Sequence, residues 1–156
     1  MQVWGLTDIG LVRRDNQDSY RILPCPEAGS LIAVVCDGMG GVQGGSVASA
    51  TAAEVFVREV QANLRSDMSP EQIRQVASYA AAVANRAIRE RAEAEPAYRG
   101  MGTTLVSAVS YHGGAVISNV GDSRAYFIGA AGIRRVSKDH SLVERLVDLG
   151  DITEEE

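Results

Sequence analysis

The stretch Leu31-Ile32-Ala33-Val34-Val35-Cys36-Asp37-Gly38-Met39-Gly40-Gly41 decides how this chain is read. Its first six residues are apolar and β-prone without alternation, which predicts a strand buried on both faces. Asp37 ends that run, and glycines continue through Gly44-Gly45. A carboxylate closing so apolar a strand is expected close to the core, where an uncompensated charge is costly, so something must neutralise it.

Upstream of this strand, Gln2–Thr7 reads as a short strand, Asp8-Ile9-Gly10 as a turn, and Ser19–Leu23 as a strand ended by Pro24 and Pro26. Downstream, Ser46–Leu64 carries apolar residues at helical spacing (Ala48, Ala52, Val55, Phe56, Val60). Ser69-Pro70-Glu71-Gln72 then supplies a cap, a proline at the first helical position and a Gln able to close a capping box. The helix it opens runs through Ile73, Val76, Ala77, Ala80, Ala84, Ala87 and Ile88 to a stop at Pro96. Four strands follow, at Thr103–Tyr111, Ala115–Val120, Ala125–Ile128 and Ile133–Val136, the first two joined by a Gly113-Gly114 turn. Ser141-Leu142-Val143-Glu144 reads as a second capping box, with its helix closed by Gly150, and Thr153-Glu154-Glu155-Glu156 reads as the start of another helix. Strands and helices in separate blocks indicate an α+β fold.

The 156 residues are 46% hydrophobic and 22% charged, with a net charge of −5, as expected of one globular domain rather than a disordered chain. A modest acidic excess disfavours a nucleic-acid binder. No apolar run is long enough to span a bilayer, and Met1-Gln2-Val3-Trp4-Gly5 does not resemble a secretory leader. Cys25 and Cys36 are too few for a disulfide framework and fit a reducing, cytoplasmic setting. Cys36, Trp4 and Phe56 are expected in the core, Cys25 in a loop, His112 in a hairpin and His140 in a loop or helix start.

Three acidic clusters carry the chemistry: Arg13-Arg14-Asp15-Asn16-Gln17-Asp18, Asp37-Gly38-Met39-Gly40-Gly41 and Asn119-Val120-Gly121-Asp122-Ser123-Arg124. Each places a carboxylate at a strand end beside backbone that a ligand could approach. Oxygen donors such as Asp18, Asp37 and the Gly38 carbonyl suit hard cations, Mg²⁺ or Mn²⁺, while the His and Cys residues lack zinc spacing. A phosphate-cradling turn is the rival reading of the second cluster. Its glycines fall as Gly38-x-Gly40-x-x-x-Gly44, no Lys-Ser/Thr follows, and Asp37 would repel the phosphate, so a dinucleotide-binding module is the lesser alternative.

Taken in order, the motifs resemble those of the metal-dependent serine/threonine protein phosphatases, the PPM or protein phosphatase 2C family, in its bacterial form. The resemblance runs through Arg13-x-x-Asn16-Gln17-Asp18, Asp37-Gly38-Met39-Gly40-Gly41, Gly102-Thr103-Thr104, Gly121-Asp122-Ser123-Arg124-Ala125, Lys138-Asp139-His140-Ser141 and Leu149-Gly150-x-Ile152-Thr153-x-Glu155. It implies a four-layer α-β-β-α sandwich of two antiparallel sheets flanked by helix pairs, with 1–156 forming the N-terminal portion of the domain. It also implies two Mg²⁺ or Mn²⁺ ions holding a water that attacks phosphorus in phosphoserine or phosphothreonine. By position, Asp37 would bridge both ions, Gly38 would ligate through its carbonyl, Asp18 would hold the second ion, and Asp122 a third, weaker one. Arg13 would clamp the substrate phosphate, a task its planar donors suit. Met39 stands where animal relatives often carry His, so water is left to protonate the leaving group.

The family's later metal-binding aspartates have no counterpart here, so the chain alone is expected to bind metal poorly and to turn over slowly or not at all. Open sheet edges are expected to invite self-association. The implied partners are a phosphorylated protein and a cognate Ser/Thr kinase, with no nucleic acid and no membrane. A catalytically dead phosphatase-like module that binds partners is the alternative of a different class.

Overall fold

The structure is a computed structural model that describes residues 2–141. The strand that opens the argument is longer than its apolar run: β2 spans Ser30–Met39 and carries Asp37 inside it. It pairs antiparallel with β1 (Asp18–Cys25) on one edge. On the other edge it pairs with β3 (Gly102–Thr103) and β4 (Leu105–Tyr111). Strand β5 (Gly114–Val120) completes the sheet, in the order β1-β2-β4-β5 with β3 on β2. Strands β6 (Tyr126–Gly129) and β7 (Gly132–Arg135) form a separate hairpin.

Two helices, α1 (Gly41–Asn63) and α2 (Pro70–Ala94), cover one face of the large sheet. Side chains alternate along a strand, so Ile32, Val34 and Cys36 of β2 point to the helices with Leu105 and Val109 of β4. They meet Ala48, Ala52, Phe56 and Val60 of α1, while α2 contributes Ile73, Ala77, Ala80 and Ile88. With Ala84, which is also buried, these α2 positions recur at three- and four-residue intervals, the spacing that places one stripe on one face. The small residues let the two helices and the sheet approach closely around Phe56, which is fully buried.

Helix α2 begins as its sequence dictates. The Gln72 N–H donates to Ser69 Oγ at 3.3 Å and the Ser69 N–H donates to Gln72 Oε1 at 2.8 Å, with Pro70 at the first helical position. Helix α1 starts five residues earlier than its apolar pattern suggests, because the glycines after Met39 lie within its first turns. Gly40 caps it at φ 121°, a conformation that side chains rarely adopt.

Several expectations are overturned. The apolar run of β2 is covered on one face only, and Val35 is 47% exposed. Strands with one layer of helices beside them bury alternate residues, whatever their composition. Gln2–Thr7 forms no strand, and Trp4 is 89% exposed rather than core. A strand needs a partner, and among the described residues none pairs with this segment. Cys25 is buried at the end of β1, on the helix side, and not in a loop. Pro24 does not end β1 but lies within it, tolerated on an edge strand. The third strand is broken at Thr104 into β3 and β4, and the hairpin after it turns on His112-Gly113, since Tyr111 faces Gly114.

Other expectations stand: Cys36 and Phe56 are in the core, and the turn at Gly10 closes on Asp8 Oδ1 at 2.7 Å. The molecule is α+β, with antiparallel sheets and one helix pair among the described residues. The helices read after Ser141 and at Thr153 lie outside those residues. No helix among them is long and apolar enough to cross a membrane.

Phe56→Ala should cost about 3–5 kcal/mol, since the closely packed surround cannot collapse into the space left. Ser69→Ala should cost about 1 kcal/mol through the lost cap. Urea unfolding followed by circular dichroism measures both, and a Phe56→Ala loss no larger than that of Ser69→Ala would contradict this account of the core.

Candidate active site

Antiparallel pairing of β1 and β2 sets Asp18 directly opposite Asp37. Residues opposed across a ladder share a face, so both carboxylates lie on the face away from the helices. An open cleft there is lined by Arg13, Arg14, Asp15, Asp18, Asp37 and Gly38, among others. Asp37 is therefore not close to the core as its sequence context suggests; its side chain faces outward. Its carboxyl is nonetheless held above the usual carboxylate range. Partial burial is the largest cause, followed by the charge of Asp18, a shared hydrogen bond with Asp18, and the charge of Asp122; Arg13 opposes them. Like charges gathered on one face raise the cost of ionising Asp37.

Backbone and polar side chains fix this corner. The Gly38 N–H donates to the Gln17 carbonyl at 3.1 Å, and the same carbonyl accepts from Ser49 Oγ of α1 at 2.6 Å. Gln17 Nε2 reaches the Gly41 carbonyl at 3.0 Å, tying the approach to β1 to the first residue of α1. Asn16 Oδ1 accepts from the Asp18 N–H at 3.0 Å while its Nδ2 donates to Thr7 Oγ1 at 2.7 Å. Gly38 cannot carry a side chain, because a Cβ there would overlap the carbonyls of Gly45 and Gln17. Asn16 and Gln17 are thus structural, holding the backbone of Asp18 and Gly38 in place.

Asp122 sits in the turn after β5, outside the cleft lining but within electrostatic reach of Asp37. The turn is clamped to the segment after β7. The His140 N–H donates to the Gly121 carbonyl at 2.9 Å, and Asn119 Nδ2 donates to the Lys138 carbonyl at 2.7 Å. Arg124 forms a two-pronged ion pair with Asp139, at 2.6 and 2.9 Å to Oδ2, and Arg135 stands at 3.6 Å from the same oxygen. Asp139 is 6% exposed. His140 lies in this loop, where the sequence places it.

The structure thus brings Arg13, Asp18, Asp37 and Gly38 into one cleft and places Asp122 at its border. Among the described residues no three His, Cys, Asp or Glu side chains converge to hold a metal ion. The donors present, two opposed carboxylates with raised ionisation cost at Asp37, fit a hard cation in kind, and fall short in number of a closed cage. Sequence reasoning assigned no role to Thr103, Thr104, Ser123 or Asp139, although each falls within a recognised motif. Their signal lies in pairings between positions far apart in the chain.

The Asp139 carboxyl is held below its usual range, first by its hydrogen bonds to Arg124. A carboxylate with a depressed folded pKa contributes stability that is complete above its unfolded value, about 3.9, and is lost as the pH falls through the lower folded value. Asp139→Asn should therefore destabilise the chain at neutral pH, with the gap to wild type closing below about pH 4. Urea titrations across that range measure it, and a gap independent of pH would refute the ion pair's contribution.

The family model described as protein phosphatase 2C matches residues 13–146. The chain is 35% identical over 153 residues to the serine/threonine phosphatase stp of Listeria monocytogenes, covering 96% of this chain and 59% of that protein. It is 33% identical over 157 residues to protein phosphatase PhpP of Streptococcus pneumoniae, covering 62% of it. The chain therefore spans about three-fifths of the length of these curated relatives. Among solved structures, the serine/threonine phosphatase PstP/Ppp of Mycobacterium tuberculosis superposes with a TM-score of 0.78 at 31% identity, over 94% of this chain and 57% of that one. The S. agalactiae serine/threonine phosphatase gives a TM-score of 0.82 at 32% identity, over 97% and 61%. A match that spans most of the chain, with the same fold, makes this chain a member of the protein phosphatase 2C family.

Proposed function

We propose that residues 1–156 form the N-terminal portion of a phosphatase domain that hydrolyses phosphoserine and phosphothreonine in proteins. The observation that carries this reading is the opposition of Asp18 and Asp37 across β1 and β2, with Arg13 lining the same cleft. Two carboxylates at one spot repel unless a cation lies between them, and a phosphate monoester needs cationic donors around its oxygens. Asp37 and Asp18, with the Gly38 carbonyl, would hold Mg²⁺ or Mn²⁺, and Asp122 would serve a further ion. When bound, the cations neutralise charge on the phosphoryl group and supply an ionised water as nucleophile.

The chain's own residues then divide the work. Arg13 binds and orients the phosphate through paired N–H donors, which favours one presentation of phosphorus to the carboxylate corner. Asn16 and Gln17 keep Asp18 and Gly38 from drifting, so the donors are organised before ligand arrives. Met39 offers no proton, so the leaving serine or threonine oxygen takes its proton from solvent. The substrate is a phosphorylated protein, and the setting is cytoplasmic, where a cognate Ser/Thr kinase would act on the same targets.

A second reading is favoured by one observation: among the described residues no three His, Cys, Asp or Glu side chains come together so as to hold a metal ion. Two carboxylate charges do not balance two divalent ions. In that reading the chain binds phosphorylated segments through Arg13 without turning them over.

Hydrolysis of p-nitrophenyl phosphate with Mn²⁺ separates the two. Slow turnover that Asp37→Ala abolishes supports the phosphatase; phosphopeptide binding without turnover supports the binding module. Arg13→Ala should weaken phosphate binding by about tenfold to a hundredfold in either case, since hydrogen bonds to charged groups contribute roughly 1.5–3 kcal/mol.

Asp37→Asn removes a charge that its neighbours repel, so the cation-free variant should melt a few degrees above wild type. Added Mn²⁺ should raise the melting temperature of wild type and leave that of Asp37→Asn unchanged. A variant that melts lower without cation would contradict the assignment of repulsion at this corner.

A further inference from the structure

The ladder between β2 and the strands β3 and β4 has one irregular pair. Val35 faces Val106 and Gly38 faces Thr103, so the register sets Asp37 opposite Thr104. A regular pair at this position would exchange two backbone hydrogen bonds. Here only one forms, from the Thr104 N–H to the Asp37 carbonyl at 2.9 Å. The Asp37 N–H donates instead to the Thr104 hydroxyl, Oγ1, at 3.0 Å. The neighbouring Thr103 hydroxyl adds a second donor to the Asp37 carbonyl, at 2.9 Å. The irregular pair holds the carboxylate on which the cleft is built.

The same Thr104 hydroxyl meets Ser123 Oγ at 2.6 Å. Ser123 follows Asp122 in the turn. A threonine hydroxyl has one proton and two acceptor sites, so Thr104 can accept from Asp37 and still either donate to Ser123 or accept from it. Gly121 supplies the second contact: it has φ 97°, and a Cβ on it would stand 2.7 Å from Thr104 Cγ2. The turn that carries Asp122 is therefore seated directly on Thr104, through a hydroxyl contact on one side and a bare glycine on the other. One residue touches the backbone of Asp37 and the turn of Asp122, two acidic corners separated by 85 positions in the chain.

We propose that Thr104 and Ser123 form a hydroxyl link that sets Asp122 relative to Asp37, making Thr104 a positioning residue for the cation site. The link rests on the reading of Asp37 and Asp122 as cation ligands only for its purpose; its existence is a matter of hydrogen bonding. Besides this link, the turn of Asp122 is held by the pairing of Val120 with Leu105 at the end of β5 and, from the far side, by Arg124 with Asp139 and by the His140 N–H. The clamp fixes the turn to the segment after β7 and the strand pairing fixes it to β4, while the hydroxyl link ties it to the backbone of Asp37 itself.

The test uses the whole chain and three variants: Ser123→Ala, Thr104→Val and Thr104→Ser. Amide hydrogen exchange at Asp37, followed by NMR, reads the link, with the Val34 and Val109 amides as controls for global opening. Ser123→Ala touches no atom of Asp37. It should nonetheless speed exchange at the Asp37 amide by about fivefold relative to the controls, the equivalent of one hydrogen bond of about 1 kcal/mol. Thr104→Val should do so by at least as much, and Thr104→Ser should stay within about twofold of wild type. An Asp37 amide that follows only the controls in Ser123→Ala overturns the link. Calorimetric titration with Mn²⁺ reads the purpose: affinity should fall about fivefold in Ser123→Ala and recover in Thr104→Ser. Unchanged affinity in Ser123→Ala overturns the positioning role. A wild-type chain that takes up no Mn²⁺ overturns the cation reading itself, and the exchange result then decides the link alone.

Discussion

Strand β2 is hydrogen-bonded along both edges, and its alternation divides the molecule into a side that folds and a side that reacts. Ile32, Val34 and Cys36 face the helices, while Val35 and Asp37 face away. Because the period of a strand is two, this division cannot be adjusted residue by residue; a slip of one position would drive Asp37 into Phe56 and its neighbours. The packing around Phe56 therefore fixes the register, and the register places Asp37 opposite Asp18. Burial enforces the same arrangement chemically at Cys36, whose thiol is pushed up to about 12 and stays a neutral core group.

The carboxylate corner carries repulsion that the fold tolerates rather than relieves. Asp37 gains nothing from its own side-chain surroundings except the partial relief of Arg13, yet its backbone is secured on every side by Gln17 through Gly38, by Thr103 and by Thr104. A chain that spends stability to hold like charges together is organised for a cation that later removes the penalty. The turn that carries Asp122 is likewise held through its neighbours Gly121, Ser123 and Arg124.

Features written in local sequence are the ones most legible before the structure. The Ser69-Pro70-Glu71-Gln72 start of α2, the stripe from Ile73 to Ile88 and the turn at Gly10 all depend on residues within a few positions of each other. Features that depend on a partner elsewhere are less so. Gln2–Thr7 has the composition of a strand, but among the described residues no strand pairs with it, and Trp4 remains exposed. Leu31–Cys36 has the composition of a strand covered on both faces, yet composition does not report how many layers stand next to it. The split of the third strand at Thr104 has no marker in its own neighbourhood, because it arises from a hydroxyl that bonds across to Asp37.

What the sequence determined by itself is the inventory: an α+β order of elements, the helix start at Ser69, and the identity of Arg13, Asp18, Gly38, Asp37 and Asp122 as the groups worth watching. These follow from residue chemistry and short spacings, which act before any long-range contact forms. Only the tertiary structure decided that Asp18 and Asp37 face each other, that Asp37 points away from the core, and that Thr104 and Ser123 connect the strand of Asp37 to the turn of Asp122. Those relations are set by strand register and close packing, and both are properties of segments brought together across the chain.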